Sequence, residues 1–298
     1  MGLNAKGNGA GVLMVENSIT RSDIFHPVDI VEDVAIAYGY NNLERRLPSN
    51  QTIGIEFNLN TLSDKVRNCV ALAGFTEVLN WVLLSKDENY KMMRIKNKNK
   101  HVELSNPKTK DFEICRTNLL PGVLKILRSN IGRTELPLKL FEVGDVIHLD
   151  NDTNIGSANE RRLCALICST KNSGLEIIHG LLDRIMTQNE CKFISLKELK
   201  DKYNGKWPNE DKNGKFKVSR YYSLEPSNKP TYFPKRQAQI MMSSRVINKE
   251  TGVITTNDPI PVGYFGMIHP GVIKNYGIFN ITPVLVSAIE LNLEAFMH

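Results

Sequence analysis

An α+β class is predicted for this chain by three observations: extended apolar runs outnumber helical stretches, most of those runs read as antiparallel, and no internal repeat divides the sequence. Together they indicate one large sheet with helices laid against it.

Taken in order, residues 1–20 open on MGLNAKGNGAG. Its glycines lack the strand–turn–helix setting of a phosphate loop, and the stretch reads as a disordered leader. Residues 28–38 predict a helix. Pro27 suits a first turn, where its missing N–H would be unpaired anyway; Val31, Val34, Ala35 and Tyr38 share a face, and Gly39 marks the stop. A linker, ERRLPSNQTIGIE, spans 44–56. Thr61 or Ser63 can cap the next helix, which carries Leu62, Val66, Val70 and Ala73 at helical spacing before Gly74. Residues 75–85 read as a buried strand, 86–92 as a short helix and 101–105 as a strand. The run 118–132 predicts a second amphipathic helix facing a long strand at 136–149.

Past a polar loop at 150–160, RRLCALICST reads as a strand. Residues 174–188 form a third amphipathic helix, with Leu175, Ile178, Leu182 and Ile185 on its stripe. After a long polar insertion come strands at 221–224, 237–243 and 261–268, a short helix at 270–276, and a near-continuous apolar strand at 283–293.

Composition narrows the function classes. At 298 residues, 41% apolar and 23% charged, the chain has the makeup of a globular protein with a full-sized core. No apolar run reaches the ~18 residues needed to span a bilayer, and no signal peptide is evident. Five scattered cysteines without CxxC pairing read as reduced, mostly buried thiols of a cytosolic protein. The net charge of +6 permits a nucleic-acid partner without demanding one. Its basic runs, 91–100 and 197–217, read first as solvated loops and second as RNA contacts.

The densest chemistry lies at 21–42, RSDIFHPVDIVEDVAIAYGYNN. Asp29, Glu32 and Asp33 stand at i, i+3 and i+4 of the predicted helix, so their carboxylates share a face, and Asp23 lies one short loop upstream. Four such groups repel unless a cation neutralises them, and a hard divalent ion such as Mg²⁺ takes oxygen ligands of this kind. The other reading needs no metal, because acidic residues in a first turn are favoured by the helix dipole.

Elsewhere the signatures of catalysis are missing. There is no GxxxxGK[ST], no GxGxxG after a strand, no HExxH and no GxSxG. His179 reads as a surface residue, and His269, before Pro270, as a packed or capping one.

Several strings resemble the beta chain of phenylalanyl-tRNA synthetase. The 21–42 stretch looks like the end of that family's small magnesium-binding domain, and the match carries four metal ligands onto Asp23, Asp29, Glu32 and Asp33. The order helix 61–73, strand 75–85, NPKTKDFEICRTNLLPGVLKILRSN, LPLKLFEVGDV is similar to its core, as are GLEIIHGLLDRIM and YFPKRQAQI, where Lys235 replaces a glycine usual in the family. The resemblance implies a class II aminoacyl-tRNA synthetase-like core, a large antiparallel sheet flanked by helices. It also divides the chain into a leader (1–20), the end of the Mg-binding domain (21–50) and a non-catalytic core (51–298). Arg116 stands near a motif that holds ATP in catalytic subunits, but reads as structural here, and the arginine ending the last class II motif is absent from 262–278.

The resemblance further implies a cytosolic enzyme subunit with no membrane partner. It would pair with the alpha chain in an (αβ)₂ heterotetramer, supporting ATP-dependent attachment of phenylalanine to tRNA(Phe) at the alpha subunit's active site. The helices at 61–73 and 118–131 are expected at the alpha–beta interface. Ending at 298, the chain is expected to be of the eukaryotic or archaeal type, and without the editing domain no proofreading is expected. Two other classes stay open: a free-standing synthetase-like RNA-binding module, and a self-sufficient class II ligase that would need an ATP-clamping arginine pair.

Overall fold

Strict alternation along two aliphatic strands organises the larger part of this protein, described here from a computed structural model. The structure describes residues 2–9, 11–50, 52–96, 100–203, 220–247, 254–256, 258–278 and 283–297. The chain divides into two units, Met1–Ile55 and Glu56–His298.

In the first unit, β1 (Asn4–Gly7) pairs antiparallel with β2 (Leu13–Glu16). Residues expected to form a disordered leader are thus a hydrogen-bonded ribbon. Helix α1 (Pro27–Tyr38) starts as its sequence predicts. Pro27 takes the first turn, the His26 ring accepts from the Val28 N–H, and the Asp29 carboxylate accepts from the His26 N–H, a reciprocal capping box. Gly39, at φ 92°, ends it. None of its residues is buried, and Val28, Val31 and Val34 are all at least half exposed.

The second unit holds, in order, α2 (Asn58–Leu72), β3 (Thr76–Glu77), β4 (Leu83–Leu84), β5 (Ile114–Cys115), α3 (Leu120–Asn130), β6 (Leu138–Leu149) and β7 (Ser157–Ser169). Then come α4 (Leu175–Gln188), β8 (Cys191–Phe193), α5 (Leu196–Tyr203), β9 (Arg220–Pro226), β10 (Tyr232–Ile247), β11 (Ile254–Thr256), β12 (Ile260–Ile268), α6 (Pro270–Asn275) and β13 (Leu285–Asn292). The main sheet runs β3-β6-β7-β13-β12-β10-β9-β8, with β11 on β10. Its centre is antiparallel, but β3 joins β6 and β8 joins β9 in parallel. The sheet is therefore mixed, where a large antiparallel one was expected: both exceptions are short edge strands whose two or three pairs carry little sequence signal.

Alternation assigns the two faces. Leu163, Ala165, Ile167, Ile289 and Leu291 face a core closed by α2 and α4. Cys164, Leu166, Cys168, Val286 and Ala288 face the opposite core, closed by α3 and α6. All five cysteines are free thiols, four of them buried, as their scatter predicted.

Four local expectations differ. Helix α2 begins at Asn58 with no side-chain cap, so neither Thr61 nor Ser63 stands at its start. Residues 75–85 do not form one buried strand; only β3 and β4 pair, and Leu79 and Trp81 between them are 90% and 76% exposed. The cause is Asn80, whose side chain turns inward to donate to Glu142 Oε2 at 2.7 Å, throwing its neighbours outward. The helix expected at 86–92 is a single π-type turn, Asp87–Lys91, and 101–105 contributes only a bridge from Glu103 to Ile114. Residues 97–99 of the basic run at 91–100, and 204–217 of that at 197–217, lie outside the described residues. Where the resemblance expects a glycine, Lys235 adopts φ 60° inside a register shift of β10 on β12, a side chain in left-handed backbone.

Arg116 is 4% exposed in its side chain and Glu142 1%. Arg116 Nη1 donates to Glu142 Oε1 at 2.6 Å and Nε to the Asp145 carbonyl at 2.8 Å. With Asn80 on its other oxygen, Glu142 is satisfied on both sides. Gly144 makes room: a Cβ there would lie 2.5 Å from Arg116 Nη2. Arg116 is therefore structural, as the sequence indicated. Gly144→Ala should push the guanidinium off Glu142 and cost roughly 3 kcal/mol in urea unfolding, the scale of a broken buried pair. Arg116→Met should cost less in the Gly144→Ala background than it does alone, because the pair is already broken there; simple additivity would refute the coupling.

Candidate functional site

The four carboxylates singled out in the sequence all fall in the first unit, and they divide into pairs. Arg21 reaches from the loop before α1 between two of them. Its Nε donates to Asp23 Oδ1 at 2.9 Å, while Nη2 donates to Asp23 Oδ2 at 2.8 Å and to Asp33 Oδ2 at 2.6 Å. The guanidinium pulls the Asp23 carboxyl down to about 2 from its ordinary 3.8. This contact is thus intact above the ordinary value and lost only as pH falls through about 2.

Asp29 turns the other way. Its Oδ2 accepts from the Phe25 and His26 N–H groups, both at 2.8 Å, and those bonds lower its pKa. Glu32 makes no hydrogen bond or ion pair among the described residues.

The donor set is all oxygen, which suits a hard divalent ion. Among the described residues, however, no three His, Cys, Asp or Glu side chains converge as metal ligands. The site is closed by a cation of the chain's own: Arg21 stands between Asp23 and Asp33, and Asp29 is occupied with the helix cap. The string RSD puts Arg21 in plain view, two residues before Asp23, yet carboxylate spacing alone gives it no role.

A second constellation, without a motif to announce it in the sequence, lies on the main sheet. Beyond the N-terminus of α3 the face that α3 and α6 cover turns polar. Glu160 and Arg162 on β7, Tyr264 on β12, and Glu290 and Asn292 on β13 line a cavity of about 160 Å³. Arg162 pairs with both carboxylates, through Nε to Glu160 and through Nη1 to Glu290 at 2.9 Å. Glu290 also accepts from the Leu119 and Leu120 N–H groups, each at 3.3 Å, so it caps α3 at its positive end. Arg162 Nη2 donates to His148 Nε2 at 3.3 Å, and burial, reinforced by Arg162, lowers the pKa of that ring. The signal was a glutamate inside an otherwise apolar strand, SAIELNL.

The isolated histidines are accounted for. His269 caps α6, its Nδ1 accepting from the Gly271 N–H at 2.9 Å, and His179 stacks on Phe265 with ring centroids 5.4 Å apart. Among the described residues, no helix is long and apolar enough to cross a membrane.

The family model described as the phenylalanyl tRNA synthetase beta chain CLM domain matches residues 43–293, and that of the tRNA synthetase B5 domain matches residues 1–40. Phenylalanine–tRNA ligase beta subunits are similar along nearly all of this chain. The Drosophila melanogaster protein is 39% identical, covering 100% of this chain and 44% of its own length; the human protein is 39% identical, covering 95% and 41%. That of Arabidopsis thaliana, named cytoplasmic, is 36% identical over 93% and 40%. The chain thus spans less than half the length of the curated relatives it matches. With most of its residues inside one family model, this chain belongs to the phenylalanyl-tRNA synthetase beta-chain family.

Proposed function

We propose that this chain is the B5 and core portion of the beta subunit of a cytoplasmic phenylalanine–tRNA ligase. In this reading it supports the ATP-dependent attachment of phenylalanine to tRNA(Phe) by an alpha subunit, within an (αβ)₂ heterotetramer. The observation that carries the reading is the family match over 43–293. Residues 21–50 are read as the end of the Mg-binding domain and 51–298 as a class II synthetase-like core without catalysis. The mixed sheet with helices on both faces is compatible with that core. Arg116 and Arg162, both tied to internal carboxylates, are unavailable to clamp a triphosphate.

The alpha-chain contact is assigned to the end of α2 and the segment after it. Leu72, Leu79 and Trp81 are 78%, 90% and 76% exposed, a concentration of apolar area suited to an obligate interface. Helix α3, the other candidate, keeps its stripe inside the protein: Leu120, Val123, Leu124 and Leu127 are all buried.

For Asp23, Asp29, Glu32 and Asp33 the reading is a structural Mg²⁺ site in competition with Arg21. Support comes from Asp23 and Asp33 already sharing one cation, and from Glu32, on the same helix as Asp33 and without a partner among the described residues. These residues would hold the ion only if Arg21 moved aside and Asp29 left the cap. The ion would supply charge neutralisation between loop and helix, and no chemistry.

Two experiments test these readings. Co-expression with an alpha chain should yield a purified complex with the mass of four chains. Trp81→Asp should abolish that complex while leaving the melting temperature of the free chain within about 2 °C, as for a surface change; a parent chain that stays alone would sink the partner assignment. In the second, Mg²⁺ should raise the melting temperature of the chain, more so in Arg21→Ala, and the increment should vanish in Asp29→Asn/Glu32→Ala. The Mg²⁺-dependent increment is the quantity to read, because loss of the cap alone costs about 1 kcal/mol. No increment in either the parent or Arg21→Ala would rule the ion out.

A further inference from the structure

The polar cavity on the main sheet is balanced in charge but not in pairing. Glu160 and Glu290 share Arg162, and Glu290 has α3's N–H groups besides. The fourth charge, Lys229, has no such match. Its Nζ lies 3.2 Å from the centroid of the Tyr264 ring. Among the described residues, no carboxylate stands within ion-pair distance of it and no acceptor takes its protons. An ammonium carries three donors, and a π face satisfies them only in part.

The lysine is also held in place. Gln237 clamps its backbone from both sides, Oε1 accepting from the Lys229 N–H at 2.8 Å and Nε2 donating to the Lys229 carbonyl at 3.2 Å. Two residues on, Thr231 Oγ1 donates to the Met93 carbonyl at 2.9 Å, fixing the turn to the cavity wall. The residue is exposed, so water can take the donors that the ring leaves over. Protein crowding around its charge nevertheless moves the ammonium down to about 8, a desolvation that the attraction of Glu290 only partly offsets. An anion arriving at the mouth of the cavity would exchange that water for a charged partner.

The cavity also limits what that anion can be. About 160 Å³ is room for one six-membered ring and little more. Met93 and Leu120, both buried, supply an apolar wall, while Asn118 and Asn292 offer amides at the rim. Glu160 and Glu290 in the floor repel any anion, so the charge must sit at Lys229, away from them, and a second negative charge is excluded. We infer that this cavity is a binding site for a small organic monoanion, a carboxylate on a compact apolar or aromatic body, which pairs its carboxylate with Lys229 and packs its body on Met93 and Leu120.

Benzoate and its neutral analogue benzamide are the probes. Titrated into the full chain and followed by saturation-transfer NMR, benzoate should bind saturably with a Kd on the order of 1 mM, reasonable for a ligand of about nine heavy atoms. Benzamide should bind at least tenfold more weakly. Lys229→Met should weaken benzoate to the level of benzamide, and Lys229→Arg should restore part of the difference. Should Lys229→Met fail to fold, the parent chain gives the answer. Benzoate, but not benzamide, should slow acetylation of Lys229 by an N-hydroxysuccinimide ester, read by peptide mass spectrometry against Lys192. No saturable benzoate signal, equal binding of the two probes, or no protection of Lys229 would each overturn the inference.

Discussion

Two-sided burial of β7 and β13 is the constraint on which the rest of the larger unit depends. Both strands lie in the middle of the sheet, so odd and even residues alike must meet a core. Leu163, Ala165 and Ile167 meet one, Cys164, Leu166 and Cys168 the other, and all six are essentially inaccessible. Each fully buried aliphatic side chain contributes roughly 1.5–3 kcal/mol, so a one-residue slip would exchange the two cores wholesale. That fixes the register, and the register in turn fixes where α2 with α4, and α3 with α6, can sit.

The same alternation decides where polarity is tolerated. Continuing the α3 face along β7 and β13 leads to Glu160, Arg162, Glu290 and Asn292, beyond the reach of α3's apolar stripe. These side chains replace hydrophobic cover with ion pairs, and Glu290 converts the end of the helix into part of that arrangement. On β6, Glu142 does the equivalent with Arg116 and Asn80. In both places a carboxylate on a central strand gathers donors from segments distant in sequence. Such pairs contribute little net stability, yet removing one partner is costly, so they specify which segments meet.

Local and distant causes separate the features legible in the sequence from those that were not. The strands at 136–149, 161–170, 261–268 and 283–293 were legible because their apolar runs are long, and α3 and α4 because their stripes repeat at helical spacing. The start of α1 was legible because Pro27 and Gly39 act locally. The break at 75–85 was not, since its cause is one hydrogen bond from Asn80 to a residue 62 positions away. The parallel edge strands were hidden for a similar reason: a two-residue pairing is set by what lies beside it. In the acidic set, spacing placed Glu32 and Asp33 together on α1 but could not show that Asp29 would serve the backbone or that Arg21 would enter between the others.

Arg21, Arg116 and Arg162 repeat one motif on different scaffolds: a guanidinium held by carboxylates within its own unit. Its planar fork suits this use, because two fixed oxygens can be met at once with little loss of side-chain freedom. An arginine committed in this way is already neutralised and oriented, so presenting it to a substrate would first require breaking a made contact. The exposed pair at Arg21 is the weakest of these commitments, for its partners keep water on one side. The proposed divalent ion would compete there, where at the buried Arg116–Glu142 pair it could not. Lys229 differs in kind, being charged, held in place and, among the described residues, unmatched. Charges matched inside the fold build the frame, and a charge left unmatched is where a ligand has something to gain.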